Sequence, residues 1–202
     1  MHSQLQQLAR RGSRPKMGKI TAALDFCRRS GDNGSMATPN HAPGQSEDSS
    51  LAADPIAVEI LRGTSRMLID AGLTPLQEFT LPSGRRADIA ALDRNGTITI
   101  VEIKSSLADF RADQKWPEYA EYCDRFFFAV KPEFPRDVLP GDCGLILADR
   151  YGAEILRPAR PAPVLAGARR RALTLRFARV AALRLAAVAD PAIKTRSEAG
   201  EI

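Results

Sequence analysis

The chain has 202 residues, of which 44% are apolar and 26% are charged, and its formal net charge is +5. This composition indicates one domain with a hydrophobic core and excludes a fully disordered chain. No apolar run approaches the roughly 18 residues of a membrane span. Three cysteines without CxxC spacing argue against a zinc ribbon or a disulfide scaffold and favour a reducing, cytoplasmic location.

Charge is divided into three blocks along the chain. Residues 1–35 carry 7 basic and 2 acidic side chains, residues 36–156 carry 12 and 19, and residues 157–202 carry 10 and 3. An acidic centre between basic ends suits a protein that holds metal ions in the middle and phosphates around them. Both histidines, His2 and His41, lie in segments that look unstructured, which argues against a histidine base or a histidine-ligated metal.

The first 53 residues are predicted to form a disordered, basic N-terminal extension and linker. They lack apolar periodicity, and Ser30–Asp54 is rich in turn formers. Three interpretations of the first 35 residues stay open. They are a short helix over Ile20–Arg29, a nucleic-acid-binding arm, or a segment that is not translated because Met36 is the true start.

The ordered domain is predicted to span residues 54–190, with a flexible tail over 191–202. Asp54 followed by Pro55 is a strong helix start, and Gly72 supplies the stop. The three strand-like runs that follow have short connections, which predicts an antiparallel meander. The predicted strands are Thr74–Leu81, Arg85–Asp93 and Thr97–Lys104, followed by Arg125–Val130, Leu145–Leu147 and Glu154–Leu156. The predicted helical regions after the meander are Leu107–Cys123, interrupted at Pro117, and Ala168–Val188.

Two charged residues lie at the end of the apolar strand 97–104. Strand side chains alternate between faces, so Glu102 and Lys104 share one face, and burying them is costly unless they are paired or bind a ligand. A three-residue loop over 94–96 places Asp88 opposite Glu102, whereas a two-residue turn puts it on the other face. Gly96 stands where three-residue hairpin loops need a left-handed residue, which favours the first arrangement.

Two opposed carboxylates repel each other unless a cation lies between them. Oxygen ligands of this kind suit Mg²⁺ or Mn²⁺, and the carbonyl of Ile103 is a candidate third ligand. Lys104 would then point its ammonium group toward the attacking water and the phosphate. A cross-strand ion pair without a substrate explains the same residues, and the residues alone do not decide between the two.

Asp88, thirteen further residues and then Glu102-Ile103-Lys104 resemble the PD-(D/E)xK nuclease signature, with Ala87 in place of its proline. The segments RADIAAL, VEIKSSLADFRADQKWPEY and CDRFFFAV resemble the MmcB family of bacterial DNA-repair proteins, which belong to that superfamily. The resemblance covers roughly residues 54–188. It implies an α/β, restriction-endonuclease-like αβββαβ core with a mixed sheet, to which the sequence adds a C-terminal helix.

The resemblance also implies roles for individual residues. Asp88 and Glu102 become metal ligands and Lys104 the catalytic lysine. Members of the superfamily often add an acidic residue from the first helix, which here is Glu59. Glu78, on the first strand, is the competing candidate.

The leading functional hypothesis is a Mg²⁺- or Mn²⁺-dependent nuclease that acts on DNA in repair. Arg86, Arg111 and Lys115 are the expected phosphate contacts, and no membrane association is expected. The alternatives are a non-catalytic DNA-binding module of the same fold and a protein–protein adaptor with a structural ion pair. DNA substrate, sequence preference and oligomeric state stay open.

Five other residues are assigned structural roles. Ser106 is expected to cap the following helix, with phosphate contact by Ser105 as a weaker possibility. Trp116 and Tyr119 are expected to pack on the sheet rather than stack on bases. Cys123 is expected to be buried, as is Cys143.

Overall fold

The computed structural model of the protein describes residues 54–113, 115–160 and 164–193. The predicted N-terminal extension and the C-terminal tail beyond residue 193 lie outside the described residues. The helices are α1 (Pro55–Asp70), α2 (Leu107–Ala112) and α3 (Gly167–Ala189), with 3₁₀ helices at Trp116–Tyr122 and Arg136–Val138. The strands are β1 (Thr74–Thr80), β2 (Arg86–Leu92), β3 (Ile98–Lys104), β4 (Arg125–Val130), β5 (Gly144–Ala148) and β6 (Ala153–Arg157).

Helix α1 begins and ends where its sequence signals predict. The carboxylate of Asp54 accepts a hydrogen bond from the amide of Ile56 at 2.9 Å, and Pro55 occupies the first helical position. At the other end Gly72 has φ +80°, a left-handed conformation that glycine adopts without strain. The amide of Leu73 then returns to the carbonyl of Leu68 at 2.9 Å.

The six strands form one mixed sheet in the order β1-β2-β3-β4-β5-β6. The first three strands are antiparallel, β4 joins β3 in parallel, β5 joins β4 in parallel, and β6 returns antiparallel. The predicted αβββαβ core and the C-terminal helix are therefore confirmed. The crossover from β3 to β4 runs through α2 and the first 3₁₀ helix, as a parallel connection requires.

The loop between β2 and β3 has the predicted length of three residues. Leu92 pairs with Ile98, and the amide of Asp93 donates to the carbonyl of Thr97 at 3.2 Å. Gly96 has φ +76°, which is the left-handed conformation that the loop needs. The side chain of Asp93 closes the loop by accepting from the amides of Asn95 and Thr97 at 2.8 and 2.9 Å.

Each face of the sheet carries its own core. Helix α1 packs on one face, where Ile60, Met67 and Leu68 join Val101 and Phe127. On the opposite face, α2, the first 3₁₀ helix and α3 cover a second cluster that includes Phe110, Tyr119, Phe126, Phe128 and Leu173. Burial on both faces explains why β4 reads as a nearly continuous apolar run, and all seven residues of β3 are buried as well.

The predicted helical region over Leu107–Cys123 breaks earlier than expected. Helix α2 ends at Ala112, and the chain resumes as a 3₁₀ helix at Trp116, so Pro117 lies in the first turn of the new helix and is not the point of interruption. Proline is tolerated there because the first amides of a helix have no intrahelical acceptor. Ser106 caps α2 as predicted, with its hydroxyl accepting from the amide of Asp109 at 3.1 Å.

The aromatic residues after α2 pack on the sheet, as predicted. The ring of Trp116 lies 5.9 Å from that of Phe126 and 5.7 Å from that of Phe128. Tyr119 stacks on Phe126 at 5.9 Å, and its hydroxyl donates to the carbonyl of Arg86 at 3.1 Å. Tyr119 is buried in this packing and Trp116 is half-buried.

Helix α3 is held on the sheet by arginines. Arg170 makes a bidentate ion pair with Asp124, with both N–O distances at 2.7 Å, and Asp124 also accepts from the amide of Ile98 at 2.7 Å. Further along the helix, Arg184 donates to the carbonyls of Gln77 and Glu78 on the edge strand β1. Among the described residues, no helix combines the length and the apolar character that a membrane crossing requires.

Candidate functional site

Asp88 lies where strands β2 and β3 separate. The last pair of their register is Ile89 with Val101, so Asp88 is next in line opposite Glu102. Instead of continuing the ladder, the amide of Ile103 donates to Oδ2 of Asp88 at 2.7 Å. Asp88 and Glu102 therefore occupy neighbouring strands at the end of one ladder, as the three-residue loop predicted.

Glu102 and Lys104 are buried side chains on the sheet face that α2 covers. Glu102 is 5% exposed and Lys104 is 3% exposed. The ammonium Nζ of Lys104 lies 3.4 Å from Oε1 of Glu102 and 2.6 Å from Oδ2 of Asp113. The structure thus brings together the predicted trio of Asp88, Glu102 and Lys104 and adds a fourth charged residue, Asp113.

The two strand carboxyls resist ionisation. Burial, and then the charge of Asp88, raise the pKa of Glu102 to about 9. Burial also raises the pKa of Asp88, to about 6, although the hydrogen bond from the amide of Ile103 favours the carboxylate. Near neutral pH, Glu102 therefore keeps its proton in the absence of a compensating cation.

Lys104 keeps its charge in spite of its burial. Burial lowers the pKa of a lysine, but the carboxyl groups of Glu102 and Asp113 outweigh this effect and hold the pKa of Lys104 above its usual value. Burial raises the pKa of Asp113, yet the hydrogen bond from Lys104 outweighs it, so that pKa lies below its usual value. The result is an ion pair at the end of β3 in which Asp113 is the nearer partner.

One oxygen of this group has no partner. Oε2 of Glu102 is buried and accepts no hydrogen bond from any part of the protein that the structure describes. A buried unpaired oxygen is costly, and a cation could satisfy it. The residues present therefore fit a divalent cation held by the carboxyl groups of Glu102 and Asp88.

The amide and carbonyl of Ile103 lie on the edge of β3 that faces Asp88. Ile98 directs its amide and carbonyl toward Asp124, which precedes β4. Because the peptide groups of a strand alternate between its two edges, Ile103 directs its own amide and carbonyl toward β2, where the amide meets Asp88. The carbonyl is thus on the correct side to be the predicted third ligand.

Within residues 54–113, 115–160 and 164–193, no group of three or more His, Cys, Asp or Glu side chains is arranged to hold a metal ion. A cation in this protein would therefore rely on two carboxylates, main-chain oxygen, water and substrate, which is the usual coordination of Mg²⁺.

The structure does not bring Glu59 to the carboxylate pair. Glu59 is on α1, which covers the other face of the sheet. Its Oε2 lies 2.8 Å from Nζ of Lys131. That ion pair lowers the pKa of Glu59. The competing candidate, Glu78, lies between the pairs Gln77–Ile89 and Phe79–Ala87, which places it opposite Asp88. Its φ of +51° is a left-handed conformation that is unusual for a residue with a side chain.

The predicted phosphate contacts differ in their present partners. Arg86 pairs with Glu78 at 2.6 Å, and its neighbour Arg85 makes two hydrogen bonds to Glu118 at 2.9 and 3.0 Å. Arg111 and Lys115 are exposed at the two sides of the break after α2. Arg85 and Arg86 both contact the first 3₁₀ helix, Arg85 through Glu118 and Arg86 through the hydroxyl of Tyr119.

Asp113 was not predicted from the sequence. It caps the C-terminus of α2, and its second carboxylate oxygen accepts from the amide of Lys115 at 3.1 Å. Nine residues separate it from Lys104, and the helix between them turns the chain back over the sheet. Only the length and end point of α2 bring the two together, and no local motif signals that contact.

The two described cysteines are buried, as predicted, and are not paired with each other. Burial, and then the charges of Asp124 and Asp142 respectively, raise the pKa of the Cys123 and Cys143 thiols to about 12. Neither thiol is therefore a nucleophile near neutral pH.

Comparison with known proteins gives the family. The sequence model of the DNA repair protein MmcB-like family matches residues 45–192. A protein of unknown function from Silicibacter pomeroyi, of solved structure, is similar to this chain with 44% identity and a TM-score of 0.67. The similarity covers 72% of this chain and 98% of that one. No curated protein matches the chain. The family match spans well over half of the sequence, and it supports a role in DNA repair; the chain belongs to the MmcB-like family of DNA repair proteins.

Proposed function

We propose that this protein acts in DNA repair as a metal-dependent nuclease that hydrolyses phosphodiester bonds of DNA. The observation that carries the proposal is the pair of buried Glu102 and half-buried Asp88, in which Oε2 of Glu102 accepts no hydrogen bond. A purely structural ion pair would satisfy its buried oxygens, whereas this arrangement leaves one without a donor. The resemblance to PD-(D/E)xK nucleases and the DNA-repair family both support this proposal.

Asp88, Glu102 and the carbonyl of Ile103 would hold the cation. Mg²⁺ or Mn²⁺ bound there would supply positive charge for the scissile phosphate and lower the pKa of an attacking water. The protein prepares this place by burying Glu102 and by fixing Asp88 through the Ile103 amide. Since Glu102 holds a proton near neutral pH without a cation, binding would release that proton and strengthen as the pH rises.

Lys104 would supply the second positive charge of the site. Its ammonium group is held between Glu102 and Asp113, so the position of Nζ is set before substrate arrives. A fixed charge in a buried place stabilises a developing negative charge more than a mobile surface lysine does. In this proposal Asp113 is a positioning residue that keeps Lys104 protonated and oriented.

DNA would lie across the edge formed by the break after α2. Arg111 and Lys115 are exposed there, and Arg86 is on the strand that carries Asp88. Because Arg86 is paired with Glu78, part of its charge is already offset, and its contribution to phosphate binding should be smaller than that of Lys115.

Metal binding tests the first step of this proposal. Calorimetry with Mn²⁺ should show binding to the unmodified protein and a loss of at least tenfold in affinity for Glu102→Gln, because one carboxylate ligand is removed. Glu59→Gln is the matched control, since Glu59 is paired with Lys131 on the other face of the sheet. Equal loss in both variants, or no binding at all, would contradict the proposed centre.

DNA cleavage tests the second step. A labelled set of duplex, single-stranded, flap and junction DNA is incubated with Mg²⁺ or Mn²⁺. Lys104→Ala should abolish nicking with a modest loss of DNA binding, because the charge of Lys104 matters most as the transition state develops. Lys131→Ala, on the Glu59 ion pair, is the control. DNA binding without cleavage of any substrate by the unmodified protein would instead favour a non-catalytic DNA-binding module.

A further inference from the structure

Helix α3 is apolar on two opposite sides. Its inner side buries Leu173 and Val180, which lie seven residues apart and face the sheet. Its outer side carries a second apolar row, here called the outer stripe, in which successive members are three or four residues apart. The outer stripe consists of Leu175, Ala178, Ala182, Leu185 and Ala189, all exposed.

The outer stripe is larger than an isolated surface leucine. Leu175 is 55% exposed and Leu185 is 70% exposed, and the alanines between them join the two into one row. Alternating steps of three and four residues are the pattern by which one helix packs along another. Contiguous apolar surface of this kind marks an interaction site rather than ordinary surface composition.

The stripe is complementary to itself in the antiparallel sense. Reversing the helix about Val180 exchanges Leu175 with Leu185 and Ala178 with Ala182, so the pattern maps onto itself. Two copies related by a two-fold axis beside Val180 would place leucine against leucine at both ends. Alanine would oppose alanine in the middle, where small side chains let two helices approach closely. Such self-complementarity is what an isologous interface requires.

Charge selects the same orientation. Helix α3 contains six arginines and no acidic residue, so in a pair of identical helices the opposite charge has to come from the residue that follows the helix. In the antiparallel arrangement Arg171 of one copy faces the C-terminal end of the other helix, where Ala189 is followed by Asp190. That end carries the negative pole of the helix as well as a carboxylate. A parallel pair would instead bring Arg171 to Arg171.

We propose that the outer stripe of α3 is the interface of a homodimer in which two copies pair antiparallel about Val180. The interface lies on the side of α3 that faces away from the sheet, and its formation requires no change in the fold. It does not depend on the nuclease hypothesis.

Sedimentation velocity of the full chain from low to high micromolar concentration tests the proposal. The unmodified protein should pass from monomer to dimer, whereas Leu175→Glu and Leu185→Glu should each raise the dissociation constant at least tenfold. Both positions are exposed, so the melting temperature should stay unchanged at low concentration, where the unmodified protein is also a monomer. Leu156→Glu, at a 50% exposed leucine on β6, is the matched control and should leave dimerisation intact.

Cysteine cross-linking tests the orientation, in a Cys27→Ser background in which the remaining native thiols, Cys123 and Cys143, are buried. An equimolar mixture of Ala178→Cys and Ala182→Cys proteins should form the disulfide dimer several times faster than either protein alone. Faster cross-linking of Ala178→Cys with itself would show a parallel pair and overturn the proposal. A chain that stays monomeric at every concentration would also overturn it, and would leave the stripe to another segment of its own chain or to an acidic partner.

Discussion

Replacing Glu102 by glutamine should stabilise the metal-free protein, and the gain should grow with pH. Burial and the charge of Asp88 raise the pKa of Glu102 from 4.5 to about 9. A carboxyl group with a raised pKa contributes its full stability below about pH 4.5, and this contribution is lost as the pH rises toward 9. The cause is that the unfolded chain releases the proton that the folded protein must keep. Glutamine has the shape of the protonated side chain and carries no such linkage.

The size of the effect follows from that difference. Holding a proton on a carboxyl group in the folded protein costs about 1.4 kcal/mol for each unit by which the pH exceeds the pKa of that group in the unfolded chain. At pH 7 this amounts to about 3 kcal/mol for Glu102, and at pH 5 to less than about 1 kcal/mol. Glu102→Gln should therefore raise the free energy of unfolding by up to about 3 kcal/mol at pH 7 and change it little at pH 5.

Urea unfolding in the presence of a chelator, at several pH values between 5 and 9, measures this difference. Glu121→Gln is a suitable control because the side chain of Glu121 is 66% exposed in a loose ion pair with Arg169. Added Mn²⁺ should reverse the order by stabilising the unmodified protein more than Glu102→Gln. A variant that is destabilised at pH 7, or whose gain does not depend on pH, would show that Glu102 is an ionised structural partner of Lys104 and would refute the reasoning.

Three further predictions concern other parts of the molecule. Thr99→Val should raise the free energy of unfolding by about 1 kcal/mol in urea, because the buried Thr99 hydroxyl has no partner among the described residues; a loss would reveal an unseen partner. Asp124→Asn should lower the free energy of unfolding by roughly 2 kcal/mol, because the ion pair of Asp124 with Arg170 joins α3 to the start of β3 and β4. An unchanged urea midpoint would show that α3 does not need this contact. Lys115→Ala should reduce the slope of log affinity for DNA against log salt by roughly 0.9, whereas Arg94→Ala, in the loop at the far end of β3, should leave it unchanged; equal slopes would remove Lys115 from the DNA surface.

Local sequence signals determined the elements of this fold. Asp54, Pro55 and Gly72 set the ends of α1, because capping and left-handed glycine act within a few residues. The strands were predicted to within about a residue for the same reason, since alternation and turn formers are local. One glycine, Gly96, was enough to choose the three-residue loop and hence the face of Asp88.

The break after α2 shows where local signals fail. Pro117 was expected to interrupt the helix, yet the helix ends at Ala112 and Pro117 begins the next one. Proline is unfavourable inside a helix but favourable in its first turn, so its presence alone does not say which side of a boundary it occupies. At the start of the new helix, Trp116 packs on Phe126 and Phe128, which are contacts that sequence spacing does not reveal.

Only the tertiary structure decided which charges share the site. The strand period and the loop length already placed Asp88, Glu102 and Lys104 on one face, because these rules depend on neighbours in sequence. The pairing of Glu59 with Lys131, of Arg86 with Glu78 and of Lys104 with Asp113 depends on how α1, β1 and α2 pack against the sheet. Side chains at the ends of packed elements meet through distances that no sequence spacing encodes, and this is why Asp113, the nearest partner of the buried lysine, became visible only in the folded chain.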